Sequence, residues 1–196
     1  MESTDLDGAL ASHLDALDRG TDPERQSSML ALGRIDRPAA RTRLAEELAS
    51  VRDQAADATP WSVEVLEAAA SAGFEPETDD WRARSLVDPG LWDVALAGGD
   101  VEAGRRVARY HAGASCLRCH VIDGLGGDAG PSLDGIGATR TRESILQSIV
   151  DPHAVLVEGY GEASAMPNMR PLLTPREVRD LVAYLLTLTE TSTEGH

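Results

Sequence analysis

The strongest alternation of apolar and polar positions lies near the C-terminal end, in TPREVRDLVAYLLTL from Thr174 to Leu188. Val178, Leu181, Val182, Leu185 and Leu186 recur at three- and four-residue steps and form one apolar stripe on a helix. Thr174 and Glu177 have the spacing of a capping box, with Pro175 at the first helical position. The first 97 residues read as short helices with breaks. TDPER places Asp22 at an N-cap before Pro23, and ATPWS repeats the arrangement with Thr59 and Pro60. Between them Leu44, Leu48 and Val51 fall at helical spacing in an Ala-, Arg- and Glu-rich run. SVEVLEAAASAGF predicts a further helix ending near Gly73.

Beyond LAGGD (96–100), Asp100 is the expected N-cap of VEAGRRVARYH. A Gly-rich loop runs from Gly124 to Gly137, and TRESILQSIV predicts a helix from about Thr141 that stops at Asp151-Pro152. No stretch shows the period-two pattern of a strand, so the expected class is all-α. The expected division is a helical N-terminal domain over 1–97, a second domain over 98–190 and a flexible tail over 191–196. Serial helices without strands suggest a HEAT-like N-terminal domain, although no repeat is regular enough to count.

Charge narrows the function classes. The 33 acidic residues exceed the 18 basic ones by enough to give −15, and every basic residue is Arg. Such a surface repels nucleic acid and anionic lipid, and fits either a solvated acidic face or a basic docking partner. No run approaches the roughly 18 apolar residues of a membrane span, so no membrane insertion by this chain is expected. The opening MESTDLDGAL is acidic where an export signal is basic and then apolar. Aromatics make up only 4% of the residues; a large bound cofactor would supply missing core, but Ala and Leu packing would as well.

Both cysteines, Cys116 and Cys119, lie in GASCLRCHVIDGLGG, with His120 directly after the second. A dithiol redox pair belongs near a βαβ unit, which the pattern lacks. Tetrahedral zinc needs four donors, and His111, His120 and His153 offer no second cluster with ligand spacing. A disulfide across two intervening residues would be strained and would close almost no loop. Two thiols three apart followed by an imidazole suit covalent haem c: each thiol adds to one vinyl group, and His120 binds the iron. On the opposite face the candidate ligands are Met166, Met169, His153 and His111. Pro167 stiffens the chain beside Met166, which favours Met166, with Met169 the alternative.

Residues 98–188 resemble a class I type cytochrome c domain. The resemblance is carried by GGDVEAGRRV, CLRCHVIDGLGGDAGPSLDGIG, ESILQSIVDP, EGY and SAMPNMRPLLTPREVRDLVAYLLTL. More narrowly, the segment is similar to the C-terminal haem-binding domain of planctomycete-type membrane-bound dehydrogenase-like proteins, where helical repeats often precede it. The resemblance implies a cytochrome c fold with one covalent haem c, Cys116 and Cys119 as thioether donors and His120 as proximal ligand. It implies Met166 as distal ligand and the Pro131 carbonyl as acceptor for the His120 Nδ1–H. Leu133, Ile136, Leu172 and Leu173 are the expected haem-wall residues, and Gly104 and Tyr184 the crossing point of the first and last helices. MPNMR departs from the MPPMG of many relatives at Asn168 and Arg170.

The expected function is therefore one-electron transfer rather than catalysis, with a redox protein or a natively fused dehydrogenase as partner. The alternatives are a peroxidase-like haem enzyme or a gas or redox sensor with an exchangeable distal ligand. Haem attachment of this kind takes place outside the cytoplasmic membrane, so the expected location is periplasmic or otherwise extracytoplasmic, the leader not being present in this chain.

Overall fold

The computed structural model describes residues 3–53, 59–160 and 162–190; the tail expected at 191–196 lies outside them. The chain divides into two compact units, Met1–Ala97 and Gly98–His196.

The first unit is helical throughout its described residues: α1 (Ser3–Arg19), α2 (Asp22–Leu32), α3 (Pro38–Asp53), α4 (Ser62–Ser71), α5 (Glu75–Ser85) and a 3₁₀ segment, Pro89–Ala95. Leu44, Leu48 and Val51 on α3 are buried with Met29 and Leu32 of α2 and Val65 of α4. Two helix starts differ from the sequence expectation. The N-cap of α2 is Thr21 rather than Asp22, because the Glu24 carboxylate accepts from the Thr21 N–H (2.7 Å) and hydroxyl (2.8 Å). The helix expected after Thr59 begins at Ser62, whose Oγ accepts from the Thr59 N–H at 2.9 Å. Trp81 and Trp92 pack with ring centroids 6.2 Å apart, and the Trp92 indole donates to the Ser85 carbonyl at 2.9 Å.

The second unit contains α6 (Val101–Tyr110), α7 (Ile136–Thr139), α8 (Arg142–Val150) and α9 (Pro175–Leu185), with a 3₁₀ turn at Cys116–Arg118. Asp100 caps α6 through the Ala103 N–H, Thr141 caps α8 through the Ser144 N–H, and Thr174 caps α9 in a capping box with Glu177. One feature departs from an all-helical reading: β1 (Val121–Ile122) pairs antiparallel with β2 (Leu125–Gly126). Asp123 and Gly124 between them both have positive φ (53° and 70°), the geometry of the Asp-Gly hairpin turn. It is too short to disturb the all-α class.

Helices α6 and α9 cross in close contact. A Cβ at Gly104 would sit 1.9 Å from the Asp180 carbonyl oxygen and 2.8 Å from the Tyr184 Cβ, so only glycine admits this approach. Asp180 also accepts from the Asp100 N–H at 2.9 Å, tying the start of α6 to the middle of α9. Val178, Leu181, Val182 and Leu185 are buried, each contributing on the order of 2 kcal/mol of apolar burial. At the other end of α9 the Gly137 N–H donates to the Leu188 carbonyl at 2.9 Å, which docks α7 there.

Gly104→Ala should destabilise the second unit by about 2–3 kcal/mol, because the clash is with backbone that cannot rotate away. Gly8→Ala, on α1 with nothing within 4 Å of the added methyl, should instead stabilise by about 0.5–1 kcal/mol. Denaturant unfolding of both variants against the parent checks the opposite signs.

Candidate functional site

The cysteine segment folds into a single tight turn. The Cys119 N–H and the His120 N–H both donate to the Cys116 carbonyl, at 3.1 and 2.9 Å. One helical turn places residues i, i+3 and i+4 on a common face. Cys116, Cys119 and His120 accordingly all line the same cavity, of about 620 Å³, within the second unit. The turn starts from Ser115 in the left-handed region (φ 45°), held there by its hydroxyl donating to the Ala112 carbonyl at 2.7 Å.

The imidazole is oriented from behind. His120 Nδ1 lies 2.7 Å from the Pro131 carbonyl oxygen; with the ring proton on Nδ1 it donates there, which leaves Nε2 as the free donor atom. Three glycines let the loop approach this closely. A Cβ at Gly130 would fall 2.6 Å from His120 Cε1, one at Gly126 2.1 Å from the His120 carbonyl oxygen, and one at Gly127 2.4 Å from the Arg118 carbonyl oxygen. The Gly-rich run is thus a mould around the backbone and ring of His120.

Cavity walls come from several elements. Ile122, Leu133, Ile136, Ile145, Ile149 and Leu181 line it, and the methionine loop contributes both Met166 and Met169. Met169 is buried, its N–H donating to the Ile149 carbonyl at 3.4 Å, whereas Met166 is half-buried. Leu172, expected in the wall, does not line the cavity: it is 40% exposed, while Leu173 lines it at 4%. The N–H groups of both residues turn back to the Met169 carbonyl, and in that turn the two successive side chains part to different sides.

His111 and His153 stand outside the cavity lining. The His111 Nδ1 accepts from the Ala114 N–H at 3.0 Å and its Nε2 is 3.6 Å from Glu177 Oε1, so its ring is committed to the turn before Cys116. His153 is exposed. Arg170 accompanies Asn168, whose Oδ1 accepts from the Arg170 N–H at 2.9 Å.

A second set of polar residues, of which only Tyr184 was singled out from the sequence, secures the hairpin turn. The Asp134 carboxylate accepts from the Asp123 N–H at 2.6 Å and from the Gly124 N–H at 3.1 Å. The Asp123 carboxylate pairs with the Arg109 guanidinium of α6 and accepts from the Tyr184 hydroxyl of α9 at 3.3 Å. Burial pushes the Tyr184 phenol above its ordinary value, which keeps it a donor. Asp-Gly in the sequence is a turn signal that could have revealed this feature; the partner ten residues away left no local trace.

The donor set discriminates between the chemistries open to a Cys-x-x-Cys-His segment. The two cysteines are not joined to each other, and burial pushes the Cys116 thiol up, opposite to the lowered value of a reactive dithiol. Among the described residues no three His, Cys, Asp or Glu side chains converge as ligands to one ion. Two thiols and an imidazole instead face a cavity within the roughly 300–1,000 Å³ range of cofactor sites. Tyr184 is the second unit's one buried aromatic, Tyr110 and Tyr160 being exposed, so its apolar walls enclose space that its own rings do not fill. The residues present fit a large, flat apolar group attached at one edge and held by nitrogen.

Residues 101–189 match the model of the family described as Cytochrome c. No curated protein and no solved structure matched the chain significantly. Among the described residues no helix is long and apolar enough to cross a membrane. The matched segment contains α6, the cysteine turn, the cavity and α9, and is similar to cytochrome c domains, a family whose members carry covalently bound haem c with iron.

Proposed function

We propose that this chain is a one-electron carrier with a single haem c, held by Cys116, Cys119 and His120 and closed on the far side by Met166. The observation that carries the reading is the common face of Cys116, Cys119 and His120 on a 620 Å³ apolar cavity, with His120 Nδ1 engaged by Pro131. The bound group supplies the reversible Fe(II)/Fe(III) couple, and a methionine sulfur raises its potential relative to a second histidine.

The chain's own residues orient, enclose and attach. Pro131 fixes the ring plane of His120, and Gly130 admits the ring. Leu133, Ile136 and Leu173 exclude water, which lowers the local dielectric and the reorganisation on changing charge. Met166 is the favoured distal donor because it lines the cavity while still half-buried, and Pro167 restricts the chain beside it. Met169, anchored to Ile149 and to the turn that starts α9, serves as core. With His120 and Met166 both holding the group, no open position would remain for a substrate, which supports a carrier over a peroxidase-like catalyst or a gas sensor.

Its partners on this reading are redox proteins, or a dehydrogenase fused to the chain, working outside the cytoplasmic membrane. The N-terminal unit, read as HEAT-like, is a docking platform or spacer. The resemblance of the second unit to the haem-binding domain of planctomycete-type dehydrogenase-like proteins supports such a fusion.

Protein matured with a c-type attachment system should retain its haem through acid–acetone extraction. Cys116→Ala with Cys119→Ala should release all of it. The oxidised parent should display the near-red charge-transfer band of sulfur on ferric haem, which Met166→Ala should abolish and Met169→Ala should leave in place. Loss of the band only in Met169→Ala would reassign the distal ligand to Met169.

A further inference from the structure

The hydrogen bond from His120 to Pro131 sits inside a longer seam, and the seam is closed by a side chain with no direct contact to the ring. Segments 119–124 and 130–134 run side by side. The Gly130 N–H donates to the Cys119 carbonyl at 2.7 Å, and the Leu133 N–H donates to the Val121 carbonyl at 2.9 Å. Between these two backbone bonds lies His120 Nδ1 against the Pro131 carbonyl at 2.7 Å. Beyond them, Asp134 accepts from two successive N–H groups, of Asp123 and Gly124, one on each carboxylate oxygen.

We infer that Asp134 is a positioning residue for the proximal ligand: its carboxylate clasps the hairpin turn and thereby sets how tightly the Pro131 carbonyl holds His120 Nδ1–H. The inference rests on the proposed haem ligation by His120 and adds to it a determinant outside the cavity's donor set. Three features give the clasp its strength. A carboxylate accepting two backbone N–H groups makes charge-assisted bonds, stronger than the neutral bonds of the rest of the seam. Both N–H groups belong to residues with positive φ, a conformation in which they project together from the turn. The backbone that carries the carboxylate is itself held, since the Asp134 N–H donates to Ser132 Oγ at 3.2 Å.

The far side of the turn is anchored too. Asp123, whose N–H Asp134 holds, is fixed through its own carboxylate to Arg109 on α6 and Tyr184 on α9. Asp134 therefore pulls the loop carrying Pro131 against a turn that is fastened to the α6–α9 crossing. Loosening it lets the Pro131 loop drift from the ring. A weaker Nδ1–H bond makes His120 a poorer electron donor through Nε2, which disfavours Fe(III) and raises the potential.

Removing a carboxylate near the haem also raises the potential by charge alone, so the potential cannot stand as the only readout. The discriminating measurement is solvent exchange of the His120 ring N–H, followed by NMR in the reduced, diamagnetic haem-loaded protein. Asp134→Asn keeps the shape, but its amide can accept from only one of the two N–H groups and opposes the other. It should speed exchange about tenfold, raise the potential and leave the haem covalently attached. Asp128→Asn removes an exposed charge from the same loop and should leave ring exchange as in the parent. Ser132→Ala, which alters no charge, should speed exchange by a smaller factor, and it carries the test should Asp134→Asn not fold. Exchange at the parent rate in Asp134→Asn, or in Ser132→Ala where it stands in, would overturn the positioning role. A parent protein that retains no covalent haem would instead overturn the ligation itself.

Discussion

The second unit is organised around holding one imidazole ring still. His120 is reached from the front by the cavity and from behind by the Pro131 carbonyl at 2.7 Å, and nearly every irregular feature nearby serves that bond. Gly126, Gly127 and Gly130 are placed where any side chain would strike His120 or the backbone of its turn. The hairpin, the Asp134 clasp and the Asp123 contacts to Arg109 and Tyr184 then carry the restraint outward to the rigid α6–α9 crossing. On the proposed ligation, a ring fastened to a helix crossing would keep its orientation through a change of oxidation state, as one on a flexible loop would not.

The same logic explains the contrast between the two units. Trp61, Phe74, Trp81 and Trp92 all lie in the first, where Trp81 and Trp92 are buried among aliphatic side chains as in an ordinary helical core. The second buries only Tyr184 of its aromatics and keeps a cavity of about 620 Å³ lined by Ile, Leu and Met. A cavity of this volume and lining suits a haem-sized group as part of that core. Apolar walls of this kind gain contacts and exclude water only when filled, so binding and tertiary stability are coupled.

Elements governed by local spacing were legible from the sequence. The capping box at Thr174 and Glu177, the stripe of α9, the cap at Asp100 and the helix start near Thr141 are contiguous patterns, and the structure has them where the pattern puts them. The Cys-x-x-Cys-His spacing belongs to the same class, because one helical turn converts i, i+3 and i+4 into a common face. What depended on distant partners was not legible. The α2 cap at Thr21 is an exception, a local capping box with Glu24 that a reading led by Pro23 passed over. Leu173 lines the cavity as expected but Leu172 does not, because a turn at Met169, not a helical period, sets which way each points. Asp134 looked like one more acidic residue in a Gly-rich loop, since its partners at Asp123 and Gly124 are ten and eleven positions back, with no periodicity linking them.

On the proposed ligation His120 and Met166 would both hold the iron, so that electrons pass but no ligand enters. The spin state of the haem-loaded protein and its reaction with carbon monoxide at neutral pH test this most directly. With both ligands in place the ferric and ferrous spectra should be low-spin and unchanged by carbon monoxide. A high-spin ferric spectrum with rapid carbon monoxide binding after reduction would contradict it, and would make the site one for catalysis or sensing.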